Sequence, residues 1–247
     1  MWNYPHVLAH RGGGILAPEN TMAALRCAVA LGFHAVEFDV MAVRGDGLVL
    51  MHDPVLGRTV PGEGRVADFT LDELVAMDAG AWHSPLFSGE PVASFVDAAA
   101  FCLSHELWMN AEIKPAPGTD TRTGHLVAQA CSRLPAASVL LSSFSIEALR
   151  AAQDAAPEVP RAWLVDAVPD DWASTLRRLG ASALHVNARR LTAAQAVAVK
   201  DAGYGLFCYT VNEPDQAHAL RAIGVDAICT DRLDLISAHF FDGASQA

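Results

Sequence analysis

Short apolar runs alternate with amphipathic stretches along the whole chain. The runs fall at His6 to Gly12, Ala35 to Val43, Leu107 to Lys114, Ser138 to Phe144, Arg161 to Asp166, Ala183 to Ala188, Gly205 to Val211 and Asp226 to Thr230, and each has the length of a strand. Between them, Thr21 to Leu31, Ile146 to Ala155, Trp172 to Leu179, Thr192 to Ala202 and Pro214 to Ile223 space their apolar residues along one helical face. Asn20 or Thr21 suits a helix N-cap, and Gly32, Gly180, Gly203 and Gly224 fall where helices stop. Eight strand-helix units predict a (β/α)8 barrel spanning residues 1–247 as one domain.

One stretch breaks the rhythm. Leu48 to His52 reads as an extra short strand after the turn Gly45-Asp46-Gly47, and Pro54 to Pro91 is rich in Gly and Pro around a short helix at Leu71 to Met77. This predicts a small insertion (54–91) over the barrel mouth after the second strand.

Composition narrows the function. With 247 residues and 52% hydrophobic content the chain buries a large core, and its abundant Ala and Val suit helices packed around a parallel sheet. A net charge of -11, with no basic run, argues against nucleic acid or anionic lipid as a partner, so an anionic substrate must be met by local cations. Five scattered cysteines without a CxxC spacing read as core residues of a reducing compartment. The opening Met1-Trp2-Asn3-Tyr4-Pro5-His6 lacks a signal-peptide pattern and no segment is suited to stable membrane insertion, which together predict a cytoplasmic protein.

The chemistry concentrates early in the chain. Glu37 and Asp39 lie two apart in a strand-like run, so both carboxylates point to one face. A buried carboxylate pair repels itself, and a divalent cation such as Mg2+ or Ca2+ resolves the repulsion. In the barrel reading His10 and Arg11 end the first strand and Glu112 and Lys114 end the third, all at the carboxyl side where barrel sites assemble. Glu112 offers a third oxygen, while Lys114 and the planar fork of Arg11 suit a phosphate. His10 and His52 accompany the carboxylates as acid/base candidates. His34, His105 and His185 read instead as satisfied core residues. Glu19 reads as a structural residue at the helix entrance, and Asn212 and Asp231 sit at strand ends with no chemical role assigned.

His10-Arg11-Gly12-Gly13, Pro18-Glu19-Asn20-Thr21, Glu37-Phe38-Asp39-Val40, the run from His52 to Thr59, Glu112-Ile113-Lys114-Pro115, Tyr209-Thr210-Val211-Asn212 and Cys229-Thr230-Asp231 occur in order across nearly the whole chain. This ordered set resembles the glycerophosphodiester phosphodiesterase family. The resemblance implies metal ligands at Glu37, Asp39 and Glu112, catalytic histidines at His10 and His52, and hydrolysis of a small-molecule glycerophosphodiester to glycerol 3-phosphate and an alcohol. Similarity to the related phosphoinositide-cleaving barrels implies His10 as base and His52 as acid. Tyr209 stands where many relatives have Trp, and Asp231-Arg232-Leu233 also departs from the usual pattern; both bear on substrate preference. Two rival readings are a barrel phospholipase acting on lipid or lysolipid diesters and a catalytically silent glycerophosphodiester-binding barrel. The missing membrane-binding ridge argues against the first, and the complete set of histidines and carboxylates against the second.

Overall fold

The computed structural model describes residues 2–135 and 137–242; the remaining positions of the expected 1–247 domain lie outside the described residues. The barrel strands are β1 (Val7–Ala9), β2 (Ala35–Ala42), β4 (Trp108–Ile113), β5 (Val139–Ser143), β6 (Arg161–Val165), β7 (Ala183–Asn187), β8 (Gly205–Tyr209) and β9 (Ala227–Thr230), with β3 (Leu48–Leu50) antiparallel to β2. The eight barrel strands pair in parallel, and β1 closes the ring by pairing with both β2 and β9. The helices are α1 (Met22–Ala30), α2 (Leu71–Val75), α3 (Phe95–Ser104), α4 (Asp120–Cys131), α5 (Ile146–Ala155), α6 (Trp172–Leu179), α7 (Ala193–Asp201) and α8 (Pro214–Ala222).

Period-two alternation explains the two-layered burial. On β2 all eight residues are buried. Val36, Phe38 and Val40 join the apolar shell beneath the helices, while Ala35, Glu37 and Asp39 occupy the other face. Full burial of a side chain such as Phe38 contributes roughly 2 to 3 kcal/mol. Helix starts use the expected chemistry. Thr21 accepts from the Ala24 backbone N–H, and Thr192 forms a capping box with Gln195. Gly124 lets α4 press against α5, because a Cβ there would stand 2.2 Å from the Ala148 carbonyl oxygen.

Several boundaries differ from the sequence expectation. The first strand stops at Ala9, and His10 and Arg11 belong to the tight turn that follows, with φ of 51° at Arg11 and 83° at Gly12. Gly14 is pressed against the last strand's exit, where an added Cβ would meet the Asp231 carbonyl at 2.1 Å. Helices α3 and α4 complete the ring. Their signals are weak, because α3 is apolar nearly all round and α4 is interrupted by Thr123-Gly124.

The insertion does not simply cap the mouth. Its Leu56, Val60, Val66 and Leu74 form a separate apolar cluster with Met41, Val43 and Val49 of β2 and β3. At its far end His83 reaches the Ile15 carbonyl at 3.0 Å. Among the described residues no helix is long and apolar enough to cross a membrane.

The three histidines read as core residues fare differently. His34 and His105 are exposed. The first precedes β2 and packs on His239, whereas the second follows α3 and stacks on Phe101. His185 is fully buried inside the barrel, but neither ring nitrogen has a hydrogen-bond partner in the protein.

Candidate active site

The carboxyl ends of β1, β2 and β4 bring separate motifs together. Asp39 and Glu112 are register partners across β2 and β4, as are Glu37 and Asn110. One oxygen from each of Glu37, Asp39 and Glu112 lies within 4.8 Å of the others, and all three residues are buried. Lys114 Nζ donates to Glu112 Oε1 at 2.9 Å and lies 3.2 Å from Asp39 Oδ1. The Arg11 backbone N–H donates to Glu37 Oε2 at 3.0 Å, and its guanidinium Nε stands 3.5 Å from Asp39 Oδ2. Asn20 donates from its amide to Asp39 Oδ2 and accepts from the Asp39 backbone N–H, fixing that carboxylate on both sides.

Crowding three acids in a buried space has an electrostatic cost. Burial, aided by the neighbouring Asp39 charge, raises the Glu112 pKa to about 8 and raises that of Glu37 as well. For Asp39, burial is outweighed by Lys114 and Arg11, which hold it below the usual carboxylate range. A compact all-oxygen donor set with surplus negative charge fits a hard divalent cation.

Each catalytic candidate histidine is oriented by an aspartate. His10 Nδ1 lies 2.5 Å from Asp231 Oδ1, and its Nε2 stands 3.8 Å from Glu37 Oε2. Burial works against charge on His10, yet Asp231 and Glu37 together raise its pKa. Asp231 is itself fixed by Asn212, whose amide donates to Oδ2 at 3.0 Å and whose oxygen accepts the Asp231 backbone N–H. His52 Nδ1 lies 2.6 Å from Asp53 Oδ1, and Arg58 donates to the other Asp53 oxygen. Hydrogen bonds from Arg58, together with the His52 bond and against partial burial, lower the Asp53 pKa to about 2.

Two spaces meet at His10. A chamber of about 40 Å³ is lined by Glu37, Asn110 and Glu112 together with Phe144, Leu164 and Tyr209. An outer cleft of about 410 Å³ is lined by Arg11, Ile15, Glu19, Trp82, His83 and Asp231. Tyr209 packs edge-on against Phe144 while its hydroxyl donates to the Val165 carbonyl at 2.8 Å. A larger hollow of about 530 Å³ between the amino end of α4 and one side of α5 touches none of these groups.

All eight residues singled out from sequence thus lie at one end of the barrel. Sequence reasoning left Asp231 and Asn212 without roles, offered Asn20 only as a helix cap, which Thr21 proves to be, and missed the connections of Glu19 to Arg11 and Arg58. Only the adjacency of His52 and Asp53 offered a local clue to a paired histidine. The other partners are separated by 8 residues for Arg11 and Glu19 and by up to 221 for His10 and Asp231.

The glycerophosphoryl diester phosphodiesterase family model matches residues 10–235. A glycerophosphodiester phosphodiesterase of Caldanaerobacter subterraneus subsp. tengcongensis is 31% identical over 230 residues, covering 91% of this chain and 93% of that protein. Among solved structures, an Oleispira antarctica phosphodiesterase in complex with the product sn-glycerol-3-phosphate superposes with a TM-score of 0.90 at 32% identity, covering 95% of this chain and 96% of the other. A glycerophosphodiester phosphodiesterase from Agrobacterium tumefaciens gives a TM-score of 0.76 at 26% identity, covering 94% and 98%. The chain therefore belongs to the glycerophosphoryl diester phosphodiesterase family, whose reaction is the hydrolysis of glycerophosphodiesters.

Proposed function

We propose that this chain hydrolyses glycerophosphodiesters to glycerol 3-phosphate and an alcohol, with His10 and His52 as the proton-transfer pair and Glu37, Asp39 and Glu112 as the ligands of Mg2+ or Ca2+. The observation that carries this reading is the convergence of a buried carboxylate triad with two aspartate-oriented histidines at one barrel end. A cation held there supplies Lewis-acid polarisation of the phosphoryl group and a template for the glycerol hydroxyls. Arg11 and Lys114 bind the phosphoryl oxygens and stabilise charge as it builds on them. The Trp82 and His83 side of the cleft, and Tyr209 in the chamber, contact the alcohol or glycerol ends and set selectivity. Free cysteines, four of the five buried, support a reducing cytoplasmic setting.

The histidines divide the proton work. Each ring is held through Nδ1, which leaves Nε2 for chemistry. His10 takes the proton of the glycerol 2-hydroxyl as its oxygen bonds to phosphorus, and His52 gives a proton to the departing alcohol as the old P–O bond breaks. The tethered hydroxyl benefits from effective molarity and yields a five-membered cyclic phosphate. Water then opens the ring, with His52 accepting its proton and His10 returning the first proton to the 2-oxygen.

The test couples glycerol 3-phosphate detection to a panel of glycerophosphocholine, glycerophosphoethanolamine, glycerophosphoglycerol and glycerophosphoinositol, alongside 2-deoxy analogues. Release of glycerol 3-phosphate from the panel is expected, with no release of the headgroup alcohol from the 2-deoxy analogues, whose hydrolysis product would be 3-hydroxypropyl phosphate. Rapid turnover of a 2-deoxy analogue would sink attack by the 2-hydroxyl and favour direct attack by water.

A further inference from the structure

The two candidate catalytic histidines are supported in different ways. Asp231 orients His10 from the end of β9 and is bonded to Asn212 just beyond β8, so that pair rests on the barrel wall. His52 and Asp53 lie beyond β3, just before the insertion, and their partner Arg58 belongs to the insertion itself. Arg58 occupies the far oxygen of Asp53 through Nε at 2.5 Å. Its remaining nitrogens, Nη1 and Nη2, donate to Glu19 Oε2 and Oε1, both at 2.7 Å. Glu19 Oε1 also accepts from Arg11 Nη1 at 2.7 Å.

Side-chain contacts therefore link one continuous series in which charges alternate from Asp39 through Arg11, Glu19 and Arg58 to Asp53, and Asp53 meets His52. The Glu19 side chain is only 12% exposed and its two oxygens accept three hydrogen bonds from the guanidinium groups of Arg11 and Arg58. Bidentate arginine-carboxylate geometry fixes the plane of each partner, which a single point charge does not.

We propose that Glu19 is a positioning residue that clasps the insertion to the first strand's loop, holding His52 in line through Arg58 and Asp53 while it holds Arg11 toward the phosphoryl group. This rests on the reading of His52 as an acid/base group. With Arg58 bonded to Oδ2, the Asp53 carboxylate keeps Oδ1 facing the His52 ring. Without that bond the half-buried Asp53 carboxylate is free to rotate, and the imidazole loses its fixed direction. Small misplacements of a reacting group have large effects on rate.

A mutant cycle in the full-length enzyme with added Mg2+ separates this role from general stabilisation. Arg58→Gln should lower kcat about tenfold or more with an unchanged melting temperature. The loss should vanish in a His52→Ala background and persist in a His10→Ala background. Glu19→Gln should reproduce the kcat loss and add a rise in KM, because it also releases Arg11. Should Arg58→Gln fail to fold, the isosteric Asp53→Asn carries the same cycle with the same expected pattern. A wild-type kcat in Arg58→Gln, or an equal loss in both histidine backgrounds, overturns the clasp. If His52→Ala is itself as fast as wild type, the acid/base reading falls and the clasp with it; if His52→Ala is slow while Arg58→Gln is not, the clasp alone is overturned.

Discussion

The two ends of the barrel interior are built by the same strands and have opposite chemistry. On β4, Trp108 and Glu112 share a face four residues apart, one at the floor and one at the mouth. On β1 and its exit, Leu8 belongs to the floor and His10 to the mouth. The floor is closed by Trp2, which stacks on Phe207 at 6.1 Å and packs against Trp108 at 6.2 Å, with Tyr4 stacked on Trp108 at 4.6 Å. Two histidines measure the contrast. His185 lies against Phe207 with no polar partner, and burial lowers its pKa to about 3. His10, between Asp231 and Glu37, has its pKa raised. Alternation chooses the face a side chain points to; height along the strand decides whether it meets aromatic rings or charge.

The strongest way to break this contrast is to remove the cation from the mouth. Chelation should abolish turnover and Mg2+ or Ca2+ should restore it, while Glu37→Gln or Glu112→Gln should weaken metal affinity measured by calorimetry. Full activity in excess chelator would dismiss the triad as a metal site.

Next in size are the mouth histidines. His10→Ala and His52→Ala should each lower kcat by roughly 10²-fold or more with folding intact, whereas Arg11→Ala should also raise KM. Steady-state kinetics and circular dichroism check this, and a histidine variant with normal kcat loses its place in the mechanism.

The floor histidine should affect stability and not turnover. Its folded pKa, about 3, lies below the ordinary 6.5, so the unfolded chain binds the extra proton first. Its contribution to stability is complete above the ordinary value and is lost as pH falls from there toward the folded value, by up to about 1.4 kcal/mol per pH unit. His185→Leu should flatten the acid side of a melting-temperature profile and leave kcat near neutral pH unchanged. An unchanged profile would show that His185 does not govern acid stability.

The smallest effect concerns selectivity. Tyr209→Trp, Trp82→Ala or a shortened insertion should shift relative kcat/KM among headgroups by a few-fold while sparing metal affinity, since loops around a barrel mouth tune specificity. Equal effects on every substrate would assign these residues to packing.

Much of the fold was legible because its signals are local. The strand at Ala35–Ala42 announces itself by continuous apolar character broken only by Glu37 and Asp39, and α6 by its amphipathic face and terminal Gly180. Helix α3 was obscured because a helix apolar nearly all round has little periodicity to read. At the site, the triad followed from side-chain alternation plus barrel geometry. Asp231 was unreadable as a histidine partner because it lies 221 residues from His10.

The sequence by itself determined the alternation of strands and helices, the faces of Glu37 and Asp39, and an ordered motif set that specifies the family. Tertiary structure decided which residues complete each other. It set Asp231 and Asn212 behind His10, linked Glu19 to Arg58 and Asp53, and carried the insertion onto β2 and β3 while bringing its His83 to the Ile15 carbonyl. Periodicity is a property of neighbouring residues and can be read along one dimension. Hydrogen bonds and electrostatic coupling depend on distance in space, which exists for these pairs only after the barrel has closed.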